Sequence, residues 1–191
     1  MMKPSDSRRS FAGVQPYKKT VLFIEIGMAV AISAMFVLFL GVFRIPASIP
    51  VFFISYRRGP KVAMAAAVAV GMMVLVIRPL YLHPVVFIEA PLEYMMIALA
   101  GFFPPGMGKS DNRVIKWLHD RRGILIASLL RLGVTLAGSY IIYSYYFQAT
   151  GPVIWAITLL DEGPLFIPFL IVAMVLVPLL VRYDFLVHEL K

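Results

Sequence analysis

Cysteine is absent from the 191-residue chain, which excludes thiolate metal centres, disulfides and cysteine nucleophiles. Charge is scarce as well. Only 15% of residues are Asp, Glu, Lys or Arg, against about 25% in soluble domains. No HExxH, GxSxG or Walker A motif occurs, so the sequence carries no signature of a zinc peptidase, a serine hydrolase or a nucleotide-binding loop. Internal repeats and low-complexity tracts are missing, as are the roughly ten-residue segments of alternating polarity that mark an outer-membrane barrel. Nothing in these residues asks for a cofactor or a metal, and an enzyme is not expected.

What the chain has instead is 61% hydrophobic residues in long continuous runs. Helices are the only open structures that satisfy every backbone group in lipid, so the expected class is an all-α, polytopic membrane protein of the cell membrane. Six spans are read: Thr20–Val42, a short and irregular Ile45–Tyr56 with Pro46 and Pro50, Val62–Ile77, Arg78–Phe103, Ile124–Phe147 and Pro164–Val181. They form one membrane domain, 20–181, between a basic tail, 1–19, and a polar tail, 182–191. The connections expected are a solvated segment from Pro104 to Arg122, with a short surface helix near Val114–Leu118, and a loop from Gln148 to Gly163.

The net charge of +8 reads as topology and not as a nucleic-acid surface, because the cations sit between apolar runs. Fifteen of the 18 Lys and Arg residues fall in segments that alternate to one side of a six-span chain; Arg44 and Arg78 lie on the other side and Arg131 within a span. Cytoplasmic loops carry the excess of Lys and Arg, which predicts both termini inside.

Acids within spans are costly and mark pathways or sites. Glu89 and Glu93 lie one helical turn apart in the fourth span, with Pro91 between them. Four residues of separation puts both on one face unless the proline kinks the turn. Tyr140, Tyr143, Trp155, Asp161 and Glu162 fall at the same outer level, where aromatics serve either a site or an interfacial belt. His83, before Pro84, is either a ligand or a loop residue. Glu25 and Arg131 are read as an interhelical ion pair. Gly27 and Ala31, with Ala29 and Ser33 beside them, form a small-residue flank for close helix approach, within the chain or with a partner.

The ordered motifs IEI (24–26), PVFFISYRRGPK (50–61), HPV (83–85), EAPLEY (89–94), ALAG (98–101), LLR (129–131) and PLFIP (164–168) resemble the thiamine-specific S components of energy-coupling factor (ECF) vitamin transporters. The resemblance implies a six-helix, substrate-binding membrane subunit that takes its vitamin near the outer face, beneath a lid between the first two spans. It also implies partners: a transmembrane coupling protein and cytosolic ATPases, docked through Gly27 and Ala31. Glu89 and Pro91 match the family pattern. Ala90 stands where that pattern has Tyr, Thr135 where it has His, Asp161-Glu162 where it has Tyr-Asn, and Pro46-Ala47-Ser48 in place of a glycine-rich lid. Candidate substrate-binding residues are Glu89, Glu93, Tyr143, Thr135, Trp155, Glu162 and His83, and a cationic or amine-bearing ligand suits the acids. An intramembrane enzyme and a self-contained transporter or channel using Glu89 and Glu93 as a proton or cation path are the competing classes.

Overall fold

The computed structural model describes residues 19–40, 46–77, 83–103 and 113–189. Among them are six α-helices and no strand: α1 (Lys19–Leu40), α2 (Ile49–Arg58), α3 (Pro60–Ile77), α4 (Pro84–Ala98), α5 (Arg113–Phe147) and α6 (Pro152–Glu189). Five of these are long and apolar enough to cross a membrane. Helix α2, with 10 residues, spans only about 15 Å at the α-helical rise, half a hydrocarbon core. The basic tail to residue 18, the cations Arg44 and Arg78, and most of the expected lid, 41–45, lie outside the described residues.

Short α2 survives in an apolar setting because its ends are satisfied by neighbours. The 3-10 turn Pro46–Ser48 leads into it, and Ser33 of α1 donates its hydroxyl to the Ala47 carbonyl at 2.7 Å. At the other end, Ser55 donates to the Ala98 carbonyl (2.6 Å) and accepts from the Gly101 amide (2.7 Å). Gly59 then turns the chain into α3 with φ of 85°, a conformation that side chains disfavour. With Val51 and Phe52 fully enclosed, α2 is a buried strut.

Two connections are more helical than the sequence suggested. Helix α5 starts at Arg113 and absorbs Gly123 without a break. Gly123 is there for space: a Cβ would lie 2.7 Å from the Ala100 carbonyl and 2.7 Å from the Tyr56 hydroxyl. Helix α6 starts at Pro152, so most of the expected Gln148–Gly163 loop is helix, and it continues well past Val181. Proline is well suited to a first helical turn, and α6 carries Pro164, Pro168 and Pro178 in its interior; a proline frees the carbonyl four residues before it, which a neighbour can serve. Pro178 leaves the Met174 carbonyl without its i+4 amide, and Arg121 of α5 donates Nε to that oxygen at 2.9 Å.

Helices α3 and α4, α4 and α5, and α5 and α6 pack as successive neighbours, and α1 lies on α3. Helices α3 and α4 approach closely at Gly71, where a Cβ would stand 2.6 Å from Pro91 Cα and 2.8 Å from Pro91 N. Small residues let membrane helices meet backbone to backbone in this way. The small residues of α1 divide between two faces. Ala29 and Ser33 are buried, whereas Gly27 and Ala31, about 200° around the helix from them, are exposed, and nothing lies within 4 Å of a Cβ at Gly27. Among the described residues, packing inside the chain therefore uses Ala29 and Ser33.

Replacing Gly71 by Val should force α3 from α4 and cost about 1–3 kcal/mol, the range for overpacking. A fall of several degrees in the melting temperature of detergent-purified protein is the expected reading, and an unchanged melt would contradict the backbone contact.

Candidate functional site

Helix α4 presents two chemically different sides. Residue 91 lies about 200° around the helix from residue 89, so Pro91 meets α3 through Gly71 while Glu89 and Glu93 turn to α5. The proline does not separate the acids.

Glu93 is 4% exposed and Arg131 of α5 is 9% exposed. Nε of Arg131 donates to Glu93 Oε1 at 2.7 Å, and Nη2 donates to the same oxygen. The guanidinium also lies over the ring of Phe169 on α6, 4.2 Å from its centroid. One charged group thus joins three helices, with the ion pair offsetting the desolvation of both partners. This overturns the expected Glu25–Arg131 pair. Glu25 of α1 instead meets α2, accepting from Arg58 Nε at 2.6 Å, with Arg57 Nη1 at 3.8 Å. The reason is packing: α4 faces α5, and the arginines at the end of α2 are brought to α1.

Above Arg131, α5 continues as a polar stripe at four-residue spacing: Thr135, Ser139 and Tyr143. Each step of four drifts by about 40° around a 3.6-residue helix, so the stripe winds from α4 toward α6. Thr135 is buried and donates to the Arg131 carbonyl at 3.1 Å. Ser139 donates to Glu162 Oε1 at 2.9 Å, and the Tyr143 hydroxyl donates to Asp161 Oδ2. Glu89, half-buried, fills the place beside this stripe where a Cβ at Gly138 would stand, so its carboxylate is seated on the α5 backbone. The result is a seam in which carboxylates of α4 and α6 meet hydroxyls and a bare glycine on α5.

Glu89, Glu93, Thr135, Tyr143 and Glu162 share this seam. The remaining two candidates stand at its mouth, where α4 begins and α5 ends. His83 caps α4, its Nδ1 accepting from the Val85 amide at 3.3 Å, and its ring lies 4.9 Å from that of Tyr145. Trp155 is 44% exposed and stacks on Tyr140 at 4.6 Å, while the Tyr140 hydroxyl accepts from the Gly151 amide at 3.2 Å. Ser139, Gly138 and Phe169 were not among the expected residues. Their signal was the four-residue polar period of the fifth span for Ser139; Gly138 and Phe169 acquire meaning only from what packs on them. No group of His, Asp and Glu fit to hold a metal occurs among the described residues.

Glu89 on Gly138 and the acids on hydroxyls make this seam acidic, and comparison with known sequences gives the chain a family. The family model described as thiamine transporter protein (Thia_YuaJ) matches residues 22–187. The chain belongs to the thiamine transporter family. Its membership and its apolar helices make it a multi-pass membrane protein with a role in vitamin uptake. No curated protein and no solved structure matches it.

The ion pair at the base of the seam has a direct stability test. Arg131→Met strands the Glu93 carboxylate in an apolar setting and should cost about 3–5 kcal/mol. Adding Glu93→Gln to Arg131→Met removes both charges and should recover most of that loss in a thermal melt. Equal destabilisation by the single and double variants would contradict the pairing.

Proposed function

We propose that this member of the thiamine transporter family is the substrate-binding subunit of an ECF-type vitamin transporter, holding thiamine or a related cationic, amine-bearing compound in the α4–α5–α6 seam near the outer face. The observation that carries the reading is the Glu89 carboxylate resting on Gly138, at a level lined by Thr135, Ser139 and the acids of α6. Thiamine offers what such a wall recognises: a positive thiazolium, drawn to carboxylates, and an aminopyrimidine that donates hydrogen bonds to them. The Tyr140–Trp155 stack at the mouth adds aromatic faces that attract a cation by about 0.5–2 kcal/mol each. His83 borders the same entrance. Thr135 in place of the family's histidine argues for including close relatives of thiamine among the ligands.

Orientation follows from the Lys and Arg excess, with both termini inside and α2 counted as the sixth, short crossing. Gly27 and Ala31 lie on an exposed flank of α1, which suits docking of a transmembrane coupling protein that works with cytosolic ATPases. This chain contributes recognition, and its partners contribute ATP hydrolysis.

Equilibrium binding of a vitamin panel, with thiamine first, to detergent-purified protein is the test. Glu89→Gln and Gly138→Ala should each weaken thiamine by about tenfold or more, a loss of at least about 1.4 kcal/mol. Gly27→Leu should leave binding intact while abolishing copurification with the ATPases. If no cationic compound binds, or Glu89→Gln binds as well as the parent, the seam is not the site.

A further inference from the structure

Resting on the thiamine reading above, we propose that Glu93 sets the site's preference for a cation by holding Arg131 away from Glu89. Glu89 and Glu93 are one turn apart on the side of α4 that meets α5. Arg131 places two donors on a single Glu93 oxygen and lies over the ring of Phe169, so its guanidinium is fixed at the base of the seam. Higher on α5, beside the stripe, Gly138 seats the Glu89 carboxylate. The two acids are four residues apart, about 6 Å along α4, a span that a long arginine side chain can cover by changing rotamer.

A guanidinium and a carboxylate form strong, charge-assisted pairs. Without the Glu93 charge, the nearest carboxylate to which Arg131 can turn along this face of α4 is Glu89. A cationic ligand would then have to displace a tethered arginine before reaching its own anchor. An arginine left at the base without a counter-charge would also oppose a cation, because charges that close remain strongly coupled in a low-dielectric surrounding. Glu93 therefore acts without touching the ligand. It is a positioning residue for Arg131, and through Arg131 it determines specificity.

A structural strut and a charge guard predict different ligand patterns. The experiment measures binding of thiamine and of its neutral thiophene isostere, which has the same shape without the thiazolium charge. The proteins are the full-length parent, Glu93→Gln, and Glu93→Gln with Arg131→Met, each checked by thermal melt. Glu93→Gln should lose thiamine by about tenfold or more while the isostere changes by less than about threefold. The double variant, with no arginine left to intrude, should regain thiamine to within about threefold of the parent. Equal loss of both ligands in Glu93→Gln, or unchanged thiamine affinity, overturns the proposal. Should the single variant fail to fold, the double decides: thiamine binding supports the proposal, and its loss in a folded protein overturns it. A parent that binds neither compound would instead remove the thiamine site itself.

Discussion

The Glu93–Arg131 ion pair is the constraint on which the seam depends. It buries two opposite charges where neither is tolerable alone, and the aromatic face of Phe169 closes the third side. Because the pair ties α4 to α5 at one level, the residues above it are set in register. Glu89 falls on Gly138, Thr135 is enclosed between, and the drift of the α5 stripe delivers Ser139 and Tyr143 to the acids of α6. A single charged contact thereby converts three apolar helices into a polar wall.

Around that seam the backbone is unusually rich in interruptions, and several have a local answer. Ser33 and Ser55 complete the ends of a half-length α2. Arg121 serves the Met174 carbonyl exposed by Pro178. Pro91 turns its donor-free backbone toward Gly71, where the absence of a side chain allows contact. Lipid offers no hydrogen bonds, so these partnerships are the condition for placing irregular segments at membrane depth.

Much of this was legible in the sequence. Long apolar runs gave the helical membrane class, the isolated acids pointed to α4, and the resemblance in ordered motifs agrees with the family match over residues 22–187. Which charges pair was not legible. Glu25 and Arg131 sit at similar depths in a linear reading, yet depth says nothing about which helices are neighbours, and Arg58 and Glu93 took the two places. Helix ends were hidden for a related reason. Proline and glycine normally end helices in water, whereas α5 runs through Gly123, which is closely packed against Ala100 and Tyr56, and α6 runs through Pro164. The split of the small residues on α1 was available from helical geometry alone, since a two-residue offset reverses the face.

The polar wall belongs to α4, α5 and α6, whereas α1, which packs on α2 and α3, keeps Gly27 and Ala31 exposed among the described residues. The most direct measurement of the account is a structure with thiamine bound. It should place the thiazolium or the amino group of thiamine against Glu89 above Gly138, with Arg131 still on Glu93 and Phe169. A ligand seated elsewhere in the bundle, or Arg131 turned onto Glu89 in the bound state, would contradict it.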